Sequence, residues 1–121
     1  NKLSNFEISK WFKKIGLNYL LENNAILDKE LSTTLNALSG GEIHRLGLLR
    51  TWLRDLPIEI LDEPTAYLDE ITSRKISKII SDRSKYKFSL VSSHDPYLID
   101  MADEIIELKK IDREDLRKYH V

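Results

Sequence analysis

The chain has no cysteine among its 121 residues. This absence excludes disulfide bonds, metal sites built on thiolates and cysteine nucleophiles, and it agrees with a reducing cytoplasm. Long apolar runs are also missing, since none approaches the roughly 18 residues that a transmembrane helix needs. No charged and then apolar leader opens the chain, so we expect no export. Because the first residue is Asn1 rather than methionine, we expect a piece of a longer protein.

Neither sign of charge dominates, since 19 Lys and Arg oppose 20 Asp and Glu for a formal net charge of -1. This balance argues against bulk electrostatic attraction to a polyanion, and we expect no direct binding to nucleic acid. Hydrophobic residues make up 41% of the chain, which is enough to form a core. The length predicts one domain.

The spacing of apolar residues predicts helices that alternate with strands. Helices are predicted at residues 6–21 with a break at Gly16, and at residues 40–54, 70–84, 95–101 and 112–120, with Ile71 among the inward-facing residues. Strands are predicted at residues 58–61, 88–91 and 104–108, and residues 23–38 are predicted to be rich in loops. This alternation is typical of an α/β fold with a parallel sheet and right-handed crossovers.

Polar side chains directly follow two of the predicted strands, where the functional edge of a parallel sheet lies. Asp62 is suited to a hydrated Mg²⁺, which prefers oxygen ligands, and Glu63 could orient or deprotonate an attacking water. His94 could donate a hydrogen bond to a phosphate oxygen. Taken alone, these residues also have a plainer interpretation. Asp62 and Glu63 could be solvated acids that cap the next helix, and His94 could be an ordinary surface histidine.

A serine and two glycines open the helix predicted at residues 40–54. Ser39 with Glu42 forms the pattern of a capping box. Gly40 and Gly41 would let backbone N–H groups approach an anion at a helix N-terminus, which favours negative charge. The plainer interpretation is a glycine turn with an N-cap.

In this order along the chain, the motifs resemble an ATP-binding-cassette (ABC) ATPase. Residues 38–42 look like the family's signature motif, residues 58–62 like its Walker B strand, residues 66–69 like its D-loop, and His94 like its switch histidine. The resemblance covers nearly the whole chain. It implies part of a P-loop-type ATPase core with a mostly parallel sheet, preceded by part of an α-helical subdomain. Residues 1–38 would be a remnant of that subdomain, residues 39–108 the core and residues 109–121 a C-terminal tail.

The resemblance also implies which residues contact ATP. Ser39, Gly40 and Gly41, with Glu42 in the same motif, would grip the γ-phosphate of ATP held mainly by a second nucleotide-binding domain. Asp69 would couple the two sites across the dimer.

The remaining chemistry is implied at the strand ends. Asp62 would support Mg²⁺ mostly through water, Glu63 would be the catalytic base, and His94 would contact the γ-phosphate. Phosphoryl transfer needs positioning and charge neutralisation more than covalent chemistry, which agrees with these roles.

The chain lacks a G-x-x-x-x-G-K-[ST] run, so the loop that cradles phosphates must come from elsewhere. We therefore expect a C-terminal part of a nucleotide-binding domain that is inactive alone and needs an N-terminal half carrying Walker A. The sheet of this chain lacks its companion strands, so we expect one of its edges to be unpaired.

Three functions are compatible with these motifs. The first is ATP hydrolysis at a head-to-tail dimer interface that powers a membrane transporter, with permease subunits as partners and a cytoplasmic location at the inner face of the membrane. The second is a soluble ABC ATPase in translation or DNA repair, since Ala-Tyr-Leu-Asp at residues 66–69 looks like the ribosome-recycling branch. The third is a non-catalytic half-domain that binds a complementary ATPase subunit. Glu59 departs from the family's apolar strand, and we expect it to face a polar gap or the sheet edge.

Overall fold

A computed structural model of the chain describes residues 4–22 and 38–108. The helices are α1 (Asn5–Lys14), α2 (Tyr19–Glu22), α3 (Gly40–Leu53), α4 (Glu70–Ser84) and α5 (Pro96–Ile99), and the strands are β1 (Ile58–Asp62) and β2 (Phe88–Ser92). The predicted loops at residues 23–37 and the predicted helix at residues 112–120 lie outside the described part. Within the described residues, no helix combines the length and apolar character needed to span a membrane.

The first helical segment breaks where glycine permits it. Ser4 and Glu7 form a capping box at the start of α1, and both hydrogen bonds of the box are present. Gly16 then takes a φ of 72°, in the left-handed region that glycine adopts readily. The predicted break at Gly16 is confirmed, and a short second helix follows it.

The two strands pair in parallel and α4 connects them. The register runs from Ile58 opposite Phe88 to Asp62 opposite Ser92. This β1–α4–β2 unit confirms the predicted α/β class with a parallel sheet. The register also places the carboxyl ends of both strands at one edge, and it aligns Asp62 with Ser92 there.

The core lies between the helices and one face of the sheet. Its buried side chains come from the α1–α2 segment, α3, β1, α4 and α5, and they include Ile15, Leu17, Leu49, Trp52, Leu61, Ile76, Ile80 and Leu98. Ile71 was expected to face inward, but it is 68% exposed, because it lies in the first turn of α4, ahead of the buried stripe that begins at Ile76. That expectation is wrong.

The opposite face of the sheet is apolar and uncovered. Ile58 and Ile60 of β1 and Phe88 and Leu90 of β2 are all exposed, while the alternate residues of β1 are buried. Successive side chains of a strand point to opposite faces, so these four share one face. Parallel sheets are normally covered on both faces, and here only one face is covered by the described residues.

The strand predicted at residues 104–108 does not form. These residues have no regular secondary structure and are exposed, with Leu108 at 92%. A strand needs a neighbouring strand to satisfy its backbone hydrogen bonds, and within the described residues β1 and β2 pair only with each other. The apolar pattern alone was therefore insufficient, and the prediction of a third strand is wrong.

Glu59 is buried in the core instead of facing a polar gap or the sheet edge. Its side chain is 1% exposed, and the guanidinium group of Arg83 donates hydrogen bonds to both of its carboxylate oxygens. The guanidinium carbon of Arg83 lies 5.7 Å from the ring centre of Trp11 and 5.9 Å from that of Trp52. The bidentate pair with Arg83, flanked by two aromatic rings, compensates the buried negative charge of Glu59, which would otherwise be unfavourable in an apolar strand.

Replacing Arg83 with methionine should leave the Glu59 carboxylate buried without its partner. We expect Arg83→Met to lower the free energy of unfolding by about 3–5 kcal/mol, measured by urea denaturation. The matched control is Lys78→Met, which removes an exposed pair with Asp82 and should cost at most about 0.5 kcal/mol. Equal losses in the two variants would contradict this account of Glu59.

Candidate functional site

The start of α3 presents an ordered N-terminus. Ser39 is its N-cap, and its backbone N–H donates to Glu42 Oε2 at 2.7 Å, while the Glu42 N–H donates to Ser39 Oγ at 3.3 Å. The serine hydroxyl thus accepts one bond inside the helix. Its remaining interaction among the described residues is a weaker one with the Glu42 carboxylate, so its proton can turn to an outside acceptor. Free amides in the first turn and the helix dipole make this end favourable for an anion.

The two glycines of this turn have different surroundings. A Cβ at Gly40 would meet nothing within 4 Å, so this position borders open space. A Cβ at Gly41 would lie 2.9 Å from the carbonyl oxygen of Tyr67, which is closer than side chains pack. Gly41 therefore allows the segment after β1 to dock on the start of α3.

A second contact fastens that segment to α3. His44 Nε2 lies 3.0 Å from the carbonyl oxygen of Pro64. A carbonyl oxygen only accepts hydrogen bonds, so this contact requires the proton on Nε2. Tyr67 takes a φ of 63° and leaves its side chain 86% exposed beside this junction.

Side chains from the preceding segment also hold the start of α3. Arg45 donates to the carbonyl oxygens of Gly41 at 3.2 Å and of Ile15 at 3.0 Å. The Tyr19 hydroxyl donates to Glu42 Oε1. Hydrogen bonds from Tyr19, foremost, and from Ser39 lower the pKa of the Glu42 carboxyl, so this group is charged at neutral pH.

Ser92 organises the carboxyl ends of the two strands. Its hydroxyl donates to Asp62 Oδ1 and accepts from the backbone N–H of Glu63 at 3.2 Å, and that N–H also donates to the Ser92 carbonyl at 3.0 Å. Glu63 takes a φ of 43° at the turn that follows β1. This role of Ser92 was not among the predictions from the sequence. Its place opposite Asp62 in a parallel register is the signal that could have found it.

Glu63 and His94 lie beside each other at this edge. Glu63 Oε1 is 3.6 Å from His94 Nε2, and the His94 side chain is 98% exposed. The structure therefore brings His94 beside Glu63, which lies 31 residues earlier in the sequence and directly follows Asp62. A carboxylate and an exposed imidazole at one open edge are chemically suited to activate a water and to contact a phosphate oxygen.

Asp69 and Asp95 have structural partners. Asp69 is the N-cap of α4 and accepts from the Thr72 backbone N–H at 3.0 Å and from its hydroxyl at 2.7 Å, and the hydroxyl bond is the main cause of its lowered pKa. Asp95 caps α5 and accepts from Ser73 Oγ at 2.5 Å. The latter bond joins the segment after His94 to α4.

The carboxylate oxygens at the strand ends suit a hydrated Mg²⁺ better than a metal ion held directly by several side chains. Asp62 is exposed and keeps one carboxylate oxygen free of the Ser92 bond. In the part of the chain that the structure describes, no three Asp, Glu or His side chains cluster closely enough to hold a metal. Mg²⁺ commonly binds through one or two carboxylates with waters and phosphate oxygens, so one carboxylate from this chain is a suitable contribution.

Comparisons with known proteins identify the family. The sequence model of the ABC transporter family matches residues 3–66. ABC transporter B family member 6 of Dictyostelium discoideum is 46% identical over 72 residues, which are 60% of this chain and 11% of that protein. The ATP-dependent lipid A-core flippase of Salmonella typhimurium is 37% identical over 91 residues, which are 75% of this chain and 14% of that protein.

A solved structure shows the same relationship. A chain from the complex of archaeal ribosomal stalk protein aP1 and archaeal ribosome recycling factor aABCE1 is 37% identical, with a TM-score of 0.57. The match covers 81% of this chain and 17% of that chain. The aligned part makes up 11–18% of the length of the curated relatives. The chain belongs to the ABC transporter family and carries part of its ATPase nucleotide-binding domain.

Proposed function

We propose that this chain supplies the signature motif and the water-activating edge of an ABC ATPase that hydrolyses ATP at a head-to-tail dimer interface. One observation carries the proposal: the 3.6 Å approach of Glu63 Oε1 to His94 Nε2, directly after two paired parallel strands. Glu63 orients and deprotonates the attacking water, and His94 donates to an oxygen of the γ-phosphate. Asp62 would help to hold a hydrated Mg²⁺, which when bound would supply positive charge to neutralise the phosphate.

The signature segment serves the second site of the dimer. Ser39, Gly40 and Gly41 contact the γ-phosphate of ATP held mainly by the other nucleotide-binding domain. The Ser39 hydroxyl, which is only weakly engaged with the Glu42 carboxylate, and the open space at Gly40 support this role. Glu42 orders the turn, and Asp69 couples the two sites through the segment that docks on Gly41.

The rest of the ATPase domain comes from an N-terminal half with the phosphate-cradling loop. The uncovered face of Ile58, Ile60, Phe88 and Leu90 supports this, because it is an apolar surface that another layer would cover. In this division, residues 1–38 belong to the helical subdomain, residues 39–108 to the ATPase core and residues 109–121 to the tail.

We further propose that the assembled ATPase powers a membrane transporter from the cytoplasmic face, together with permease subunits. The relatives named as a transporter and a flippase support this role. The alternative is a soluble ATPase in translation, which the similarity to a ribosome recycling complex favours. Affinity purification of the full-length protein separates them, since recovery of permease subunits supports transport and recovery of ribosomal subunits supports translation.

Replacing Glu63 with glutamine should stop hydrolysis while leaving ATP binding intact. In the complete ATPase we expect turnover to fall about 10²–10⁴-fold, and an ATP-dependent dimer to persist in gel filtration. Glu70→Gln, which changes an exposed carboxylate at the start of α4, is the control and should keep normal turnover. Undiminished turnover in Glu63→Gln, or an ATP-bound variant that stays monomeric, would contradict the mechanism.

Replacing each of the two glycines with alanine should distinguish a glycine needed for packing from a glycine that borders the phosphate. Gly41→Ala places a Cβ against the Tyr67 carbonyl and should lower the free energy of unfolding by about 1–3 kcal/mol. Gly40→Ala should leave stability unchanged and weaken ATP-dependent dimerisation, because its Cβ enters the space proposed for the phosphate. Thermal unfolding without ATP and gel filtration with ATP measure the two effects. Identical behaviour of both variants in both assays would refute the assignment.

This chain alone should not turn over ATP, because the phosphate-cradling loop lies outside it. Phosphate release by the isolated chain is expected to equal that of buffer. Activity above buffer that disappears in Glu63→Gln would show that the chain is a complete catalyst.

A further inference from the structure

The carboxylate of Glu42 presents an electrostatic problem for a phosphate site. It lies in the first turn of α3, where the proposed function places an anionic γ-phosphate beside Ser39. Its pKa is lowered, so it is negative at neutral pH. Like charges at close range repel, and a freely moving carboxylate there would also compete with phosphate for the Ser39 hydroxyl proton.

The structure holds this carboxylate in one orientation through both of its oxygens. Oε2 accepts from the Ser39 backbone N–H at 2.7 Å, and Oε1 accepts from the Tyr19 hydroxyl. Arg45, one turn along α3, adds a positive charge that further lowers the pKa of Glu42. Tyr19 itself belongs to α2, so its bond crosses from the preceding segment to the start of α3.

Tyr19 is suited to this task chemically. Burial, foremost, and the neighbouring Glu42 carboxylate raise the pKa of its phenol. The hydroxyl therefore stays protonated at neutral pH and remains a donor to the carboxylate. A hydrogen bond to a charged acceptor is among the stronger kinds in proteins.

We propose that Tyr19 is a positioning residue for the phosphate-binding end of α3. Its hydroxyl draws the Glu42 carboxylate toward α2 and the Ser39 backbone, which weakens the interaction of that carboxylate with the Ser39 hydroxyl and makes the hydroxyl proton available to phosphate. The inference rests on the proposed contact of Ser39 with ATP. Tyr19 lies outside the signature motif, so the affinity of that motif for ATP would depend on the placement of α2.

The test compares ATP responses of variants of the complete ATPase. Tyr19→Phe keeps the ring and removes only the hydroxyl. We expect the ATP concentration for half-maximal dimerisation and the KM for ATP to rise about tenfold, in keeping with loss of a bond to a charged group. The kcat at saturating ATP should stay within about twofold, because Tyr19 touches no reacting atom. Tyr86→Phe, at the opposite edge of the sheet and 87% exposed, is the control and should match the unmodified protein.

A rescue distinguishes positioning from general structural support. Glutamine at position 42 retains the capping-box geometry but carries no charge. Tyr19→Phe combined with Glu42→Gln should therefore return to within about twofold of the unmodified KM, and Glu42→Gln alone should bind ATP at least as well as the unmodified protein. If Tyr19→Phe behaves normally, if the double variant stays as weak as Tyr19→Phe, or if Glu42→Gln alone is equally weakened, the inference is wrong.

One further variant separates this inference from the function on which it rests. Ser39→Ala should weaken ATP-dependent dimerisation if Ser39 contacts phosphate. A normal response of Ser39→Ala would refute that contact and the inference with it. A weakened Ser39→Ala together with a normal Tyr19→Phe would refute the role of Tyr19 alone.

Discussion

The parallel pairing of β1 with β2 is the constraint on which the site depends. It brings Asp62 opposite Ser92, and the Ser92 hydroxyl then joins the Asp62 carboxylate to the backbone of Glu63. Glu63 and His94 follow the ends of these two adjacent strands, and their side chains lie beside each other at this edge of the sheet. A shift of one residue in this register would turn every strand side chain to the other face and would separate these groups.

The strand-end edge and the start of α3 are joined through backbone contacts. Gly41 admits the Tyr67 carbonyl, and His44 holds the Pro64 carbonyl. The segment after β1 is therefore in direct contact with the helix that carries Ser39. In a paired ATPase such a connection would link the water-activating edge of one site to the phosphate contacts of the other.

Much of the fold follows from local patterns in the sequence. The α3 cap is encoded by Ser39 and Glu42, three residues apart, and the break after α1 by Gly16, so both were predictable. Glu59 was misjudged because its partner Arg83 lies 24 residues away, and only the folded chain brings them together. The third strand was predicted from an apolar pattern, but a strand also needs a neighbour, which local sequence does not reveal. The order of motifs indicated the candidate site residues, whereas Ser92 and Tyr19 emerged only from the tertiary contacts.

The proposed function requires that Ser39 reach the terminal phosphate of a nucleotide held by another domain. The most direct measurement is a structure of the complete ATPase bound to Mg²⁺ and a non-hydrolysable ATP analogue. The account predicts a dimer in which Ser39 Oγ lies within hydrogen-bond distance of a γ-phosphate oxygen, about 2.5–3.0 Å, with Glu63 and His94 facing the γ-phosphate of the chain's own site. A nucleotide-bound structure with Ser39 facing solvent, or with Glu63 and His94 turned away from phosphate, would contradict it.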